Sequence, residues 1–390
     1  MKRAIIIILD SVGVGAAATL TPQDNPRANT LAHVLAAAKL SLPNLQSLGL
    51  GNIVPLTGVA PVKKPVAAWG RMAPRAIGKD TTSGHWELAG LLLNKPLPTY
   101  PQGFPASVIE SFSAATGRAV LGNKTASGTA IIEELGQKHL NSGALIVYTS
   151  ADSVFQIAAH EEKVPLPELY SACLKAREIL QGEHGVGRII ARPFLGEPGS
   201  FYRTLNRRDY SLRPPSGGLL FQVRQSGLPV VAVGKIHDIF AGADISRSLP
   251  AHNNLQSHNA LLQAITETPA GLIFANYVDF DMLYGHRNDA AGYGQALAVF
   301  DAGLPDILTR LQPDDLLLLT ADHGNDPTQP GSDHDRENVP VLAVGPKMKP
   351  CDLGLRNSFA DAGATAAAWL GANALPAGES FLEMIYPKKI

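Results

Sequence analysis

Residues 1–15 read MKRAIIIILDSVGVG, and the six-residue apolar run from Ala4 to Leu9 decides the fold class. Basic residues ahead of an apolar run suggest a signal peptide, but this run is shorter than a signal's apolar core and far shorter than a membrane span. Four consecutive isoleucines leave no polar face, so the segment reads as a parallel strand buried on both sides and closed by Asp10. Similar runs occur at Ala144–Thr149, Arg188–Ala191, Val230–Val233, Leu272–Ala275, Leu316–Thr320 and Val339–Val344. Amphipathic or Ala-rich stretches follow these runs, which predicts an α/β fold with a mostly parallel sheet flanked by helices. Leu297, Phe300, Leu304, Ile307, Leu308 and Leu311 recur at helical spacing, and Pro305 predicts a kink in that helix.

Two breaker-rich segments interrupt the alternation: NKPLPTYPQGFP at 94–105 and LRPPSGG at 212–218. Read as linkers, they enclose a smaller α/β domain over 95–214, inserted into a discontinuous domain built from 1–94 and 215–390. The length, 390 residues, suits two or three domains, and 45% apolar against 17% charged residues describes a globular chain. Thirty-three basic residues against thirty-four acidic ones give a net charge of −1, so neither nucleic acid nor a membrane is an expected partner. The two cysteines, Cys173 and Cys351, have no CxxC spacing, which disfavours a disulfide scaffold or a zinc ribbon and suits a reducing cytoplasm.

Carboxylates and imidazoles recur where open α/β sheets place ligands, at strand ends. Asp10 ends the first strand; NYVDFDMLYGHR brings Asp279, Asp281 and His286; TADHGNDPTQPGSDHDREN brings Asp322, His323, Asp326, Asp333, His334 and Asp335. Singly, each is an ordinary turn or cap residue. Together, at three strand ends, they suit a divalent ion such as Mn, Zn, Mg or Fe. GKDTTSGHWELAG supplies hydroxyls at Thr81, Thr82 and Ser83 ahead of a helical run. A Ser N-cap is one reading, although Trp86 stands where a capping box needs Glu or Gln; a hydroxyl activated at a helix N-terminus beside a metal is the other. The GVG at Gly13–Gly15 invites a dinucleotide reading, but no acidic strand end near residue 30 supports it.

Asp10, TSGHWE, DFDMLYGHR and TADHG…SDHDREN, in that order, resemble the phosphopentomutase family, a dimetal branch of the alkaline phosphatase superfamily. TSADSVFQIAAHEE at 149–162, GRIIARPF at 187–194, RTLNRRDYS at 203–211 and VGKIHDIFA at 233–241 extend the likeness. The resemblance implies an alkaline-phosphatase-like core with the inserted domain as a cap that excludes water. It implies two Mn(2+), one held by Asp10, Asp322 and His323 and the other by Asp281, His286 and His334, with Ser83 as the phosphorylated hydroxyl and Thr81 and Thr82 as weaker candidates. Two divalent ions against three aspartates leave about one positive charge to attract a phosphate. Substrate contacts fall on Ser150, Asp152, Val154, Arg188, Ile190, Lys235 and an arginine that is Arg203 or Arg207. The implied reaction interconverts pentose 1- and 5-phosphates, primed by glucose 1,6-bisphosphate or a similar sugar bisphosphate. A dimetal phosphatase or sulfatase and a noncatalytic sugar-phosphate sensor are the rival readings.

Overall fold

The computed structural model describes every residue except Gln23, Asn94, Ala151 and 388–390, so the expected boundary at Asn94 lies outside the described residues. The chain forms two compact units: Met1–Lys95 with Pro214–Ile390, and Pro96–Arg213. The strands, in chain order, are β1 (Arg3–Leu9), β2 (Ala68–Met72), β3 (Val120–Thr125), β4 (Leu145–Thr149), β5 (Val154–His160), β6 (Arg188–Leu195), β7 (Tyr202–Arg203), β8 (Arg208–Ser211), β9 (Val230–Val233), β10 (Arg247–Leu249), β11 (Gly271–Tyr277), β12 (Asp315–Thr320), β13 (Val339–Val344) and β14 (Asp352–Arg356).

In the larger unit eight strands form one sheet in the order β10-β9-β11-β1-β12-β13-β2-β14. All are parallel except β13, which runs against both β12 and β2. β1 lies between β11 and β12 and is buried throughout, as its isoleucines require. At its amino end the buried Arg3 guanidinium donates to both carboxylate oxygens of Asp315 and to the carbonyls of Thr268 and Ile265, so neither charge is left alone. The helix Ala290–Leu308 continues through Pro305. Proline offers no N–H to the carbonyl of Asp301, and the side chain of Asn44 donates to that oxygen instead, at 2.9 Å.

In the smaller unit β3-β4-β5-β6-β7 form a mixed sheet, with β8 also paired to β6. One face packs Phe155 and Ile157 against the helix Leu166–Ile179 and against Phe112 of the helix Ala106–Thr116; the other packs Ile146, Tyr148 and Phe194 against the helix Gly128–Ser142.

Candidate metal centre

Parallel strands deliver their carboxyl ends to one edge of the sheet, and the larger unit places its acids and imidazoles there. Asp10 follows β1, Asp281 follows β11, and Asp322 and His323 follow β12. Because β13 is antiparallel, the loop that enters it returns to the same edge and brings His334 with it. Two groups result: Asp10 with Asp322 and His323, and Asp281 with His286 and His334, the donor atoms of each lying within 4.8 Å of one another. The His323 and His334 rings stand 4.0 Å apart between centroids, so the groups adjoin.

The donor atoms face inward. His323 Nε2 is 3.5 Å from Asp10 Oδ1 and 3.3 Å from Asp322 Oδ2, and both of these buried oxygens lack a hydrogen-bond donor. His286 gives its Nδ1–H to the carbonyl of Ser332 at 2.6 Å, which turns its Nε2 inward, 3.2 Å from His334 Nε2 and 3.1 Å from Asp281 Oδ2. His323 Nδ1–H likewise donates to the Gly324 carbonyl. Lone pairs and orphaned carboxylate oxygens pointing at one another fit a cation in each group. Burial and the charges of Asp322 and Asp281 push Asp10 up to about 7. Burial works to lower His323, but Asp322, Asp281 and Asp10 lift it to about 9. The bond to Asp281 raises His286 to about 8. In Asp281 the bonds from His286 and His334 outweigh burial and hold the carboxyl well below the usual range.

A surrounding layer aims these ligands. Asn276 Nδ2 donates to Asp10 Oδ2 at 3.0 Å and to His85 Nε2 at 3.2 Å; the amide of Ser11 donates to Asp322 Oδ1; Asn325 Nδ2 donates to Asp281 Oδ1. Of the other acids at these strand ends, Asp326 takes His33 and the Asn29 amide, Asp333 pairs with Lys79, Asp335 accepts the Asp326 amide and Asp279 accepts the Asn254 amide. They tie loops rather than join the ligand groups. Gly13 is small because the Glu337 side chain packs where a Cβ would stand, which accounts for the early glycine without a dinucleotide.

The helix Thr81–Leu88 carries the hydroxyls, and its cap is Asp80 rather than a serine. Asp80 accepts the Ser83 amide at 3.1 Å and the Ser83 hydroxyl at 2.6 Å, so Ser83, buried at 1% exposure, turns to the cap. Thr81, at the first helical position, sets its Oγ1 3.2 Å from His323 Nε2. His85, one turn on, donates from Nδ1 to the Thr81 carbonyl and lies 3.1 Å from Asp322 Oδ2. The structure thus brings Thr81, not Ser83, to the ligands. The helix sits close: a Cβ on Gly84 would fall 2.1 Å from the Asp322 carbonyl oxygen. Buried Glu87 accepts the amides of Arg75, Ala76 and Phe359 and the Ser358 hydroxyl, anchoring the helix from below. Asp80, His85, Asn276 and Glu87 were not singled out from sequence. An Asp one residue ahead of Thr81 was the available signal, since a cap there puts Thr81 and His85 on one face.

Lys235, just after β9, reaches Met282 Sδ at 3.7 Å, beside Asp281 in the chain. In the smaller unit, Arg188 lies 3.7 Å from Asp152 and 3.8 Å from Asp209; Arg207 pairs with Asp209 through both nitrogens; Arg203 is exposed. Val154 and Ile190 are buried at 2% each, so they present little side-chain surface, and Ser150 is half-buried beyond the end of β4.

Two facing groups of aspartate and histidine at the carboxyl edge of a parallel sheet define a metalloenzyme by their chemistry, and residues 2–374 match the family model described as the Metalloenzyme superfamily. Curated relatives are closer still. The chain is 53% identical to a phosphopentomutase of Caldanaerobacter subterraneus subsp. tengcongensis, covering 100% of this chain and 99% of that one, and 53% identical to a phosphopentomutase of Desulfitobacterium hafniense, covering 98% and 99%. The chain therefore belongs to the phosphopentomutase family of metalloenzymes and is a mutase, an isomerase with the alkaline-phosphatase-like α/β fold expected from its sequence. A Leishmania mexicana phosphoglycerate mutase structure is 14% identical over 99% of this chain and 98% of that one, with a TM-score of 0.47. Among the described residues no helix is long and apolar enough to cross a membrane.

Proposed function

We propose that the enzyme interconverts α-D-ribose 1-phosphate and D-ribose 5-phosphate, and their 2-deoxy counterparts, through a phosphoenzyme and a pentose 1,5-bisphosphate. The observation that carries this reading is the Thr81 hydroxyl, 3.2 Å from His323 Nε2 at the start of its helix and beside both ligand groups. Thr81 is the carrier in this reading. Ser83, favoured by the sequence motif, holds the Asp80 cap in place.

Asp10, Asp322 and His323 would hold one Mn(2+), and Asp281, His286 and His334 a second. Bound there, the ions neutralise phosphoryl oxygens and acidify a nearby hydroxyl. In each cycle Thr81, already phosphorylated, loses its phosphoryl group to O1 of ribose 5-phosphate: the Thr81 O–P bond breaks, a sugar O–P bond forms and the hydroxyl proton leaves. The bisphosphate turns, Thr81 Oγ1 takes the phosphoryl group from O5, and ribose 1-phosphate departs. Asp80 and Glu87 keep the helix fixed throughout, and the Thr81 and Thr82 amides, which have no partner among the described residues, favour an anion. Lys235 and the smaller unit's Arg188 and Arg203 supply cationic donors that suit a phosphate dianion. Glucose 1,6-bisphosphate phosphorylates Thr81 at the outset. The reading places the enzyme in the cytoplasm, between nucleoside phosphorolysis and pentose phosphate metabolism.

Intact-protein mass spectrometry after priming tests it. One phosphate is expected on the wild type and on Ser83→Ala, and none on Thr81→Ala; a phosphorylated Thr81→Ala protein would return the role to Ser83 or Thr82. Ribose 1-phosphate, with Mn and primer, should yield ribose 5-phosphate. Dominant free phosphate would mean a hydrolase of the same superfamily.

A further inference from the structure

One buried acid beside the ligand groups has no part in the chemistry above. Glu337 is 1% exposed and lies three residues beyond the ligand His334. Its carboxyl group fills the space that a Cβ on Gly13 or Gly324 would take, so it stands between the loop that follows Asp10 and the loop that follows His323. Oε2 accepts the Gly15 amide at 2.8 Å and the Thr30 amide at 3.1 Å, and Oε1 accepts the Thr30 hydroxyl at 2.5 Å. Thr30 opens the helix Thr30–Ala38, whose cap residue, Asn29, makes no side-chain bond to it; Glu337 supplies the acceptor that this helix start lacks. The path continues on the other side of the hydroxyl. With its proton given to Glu337, Thr30 Oγ1 turns a lone pair to the Asn325 amide, which donates to it at 3.0 Å. Asn325 Nδ2 in turn donates to Oδ1 of the ligand Asp281 at 2.8 Å and stands 3.5 Å from Nδ1 of the ligand His286. Glu337, Thr30, Asn325 and Asp281 are all buried, so water does not compete for these bonds.

We propose that Glu337 and Thr30 are positioning residues for the group formed by Asp281, His286 and His334. Glu337 fixes the rotation of the Thr30 hydroxyl, Thr30 fixes the backbone of Asn325, and Asn325 holds Asp281 in the orientation that takes a cation. The assignment rests on the reading of the two ligand groups as Mn(2+) sites and extends it to residues that touch neither ion nor substrate.

Calorimetric titration of Mn(2+) into the full-length enzyme, in competition with a chelator, tests the assignment. The wild type should bind two ions. Thr30→Val keeps the shape of the side chain and removes the hydroxyl; it should weaken one ion about tenfold, the effect of a buried amide left without its acceptor, and leave the other within about threefold. Thr30→Ser restores the hydroxyl and should bring both ions back within about threefold of wild type. Glu337→Met, similar in length and without acceptors, should weaken the same ion about tenfold or more. Asn325→Leu should weaken it about tenfold to a hundredfold. In the Asn325→Leu background Thr30→Val should add less than about twofold, because Thr30 acts through Asn325, whereas a role confined to packing would add its full effect. Full addition, or Mn(2+) affinity within about twofold of wild type in Thr30→Val or Glu337→Met, overturns the proposal. If Thr30→Val does not fold, Thr30→Ala takes its place in the same cycle. Two ions bound by the wild type without turnover of ribose 1-phosphate remove the mutase reaction and keep the positioning role; no Mn(2+) bound overturns both.

Discussion

Loading the two ligand groups with divalent cations must expel protons, and the buried charges set how many. Without a cation, burial and its acidic neighbours push Asp10 up to about 7, Asp281 raises His286 to about 8, and three carboxylates lift His323 to about 9 against the effect of burial. A ligating imidazole is neutral and a ligating carboxylate ionised, so each of these protons leaves as the metal enters. With those values the metal-free site holds about two to two and a half displaceable protons at pH 7 and about half of one at pH 9. The sign follows: raised imidazoles and a raised carboxyl make metal affinity climb with pH, by about a hundredfold per pH unit near neutrality and far less above pH 9. Titrating Mn(2+) into metal-free enzyme calorimetrically, in buffers of different ionisation enthalpy, counts the protons from the slope of heat against buffer enthalpy. Release of less than one proton at pH 7, or equal release at pH 7 and 9, would refute the reasoning and mean that the inward lone pairs are not held protonated by their neighbours.

Asn276→Leu removes the donor shared by Asp10 and His85 and should weaken Mn(2+) binding roughly tenfold to a hundredfold, read by competition with a chelator. Arg3→Met strands Asp315 in the core and should lower the stability of the larger unit by about 3–5 kcal/mol in urea unfolding, with most of the loss recovered in Arg3→Met/Asp315→Leu. Gly84→Ala places a methyl against the Asp322 carbonyl, where backbone must shift; turnover should fall at least about tenfold while the far-ultraviolet circular dichroism is kept, and full turnover would show that the helix tolerates displacement.

The parallel half of the large sheet was legible because burial on both faces writes itself as unbroken apolar runs, as in β1, β11 and β12. β2 escaped notice because Gly70 and Arg71 break its run, and β14 because it lies at the edge of the sheet with an exposed Gly354. β5 is buried throughout, yet Gln156 and His160 disguise it. The metal ligands were legible through recurrence at strand ends. The direction of β13 was not, although it decides where His334 comes to rest, because a buried strand reads alike in either direction. The reactive hydroxyl depends on helical phase: with Asp80 as the cap, the face toward the ligands carries Thr81, and a shift of two residues in that assignment selects Ser83 instead.

The insertion of one unit within the other has a consequence for how the chain is made. β1 pairs with β11 and β12, which begin at residues 271 and 315, so its row of isoleucines has no sheet to join until most of the chain has been synthesised. At about 5–20 residues per second that is an interval of roughly 13–50 s, in which a strongly β-forming segment stands without partners. All the residues of the smaller unit emerge within that interval, ahead of the larger unit's central strands. A nascent chain of this enzyme thus carries a completed small unit and a waiting first strand, and that strand is the segment for a chaperone to shield.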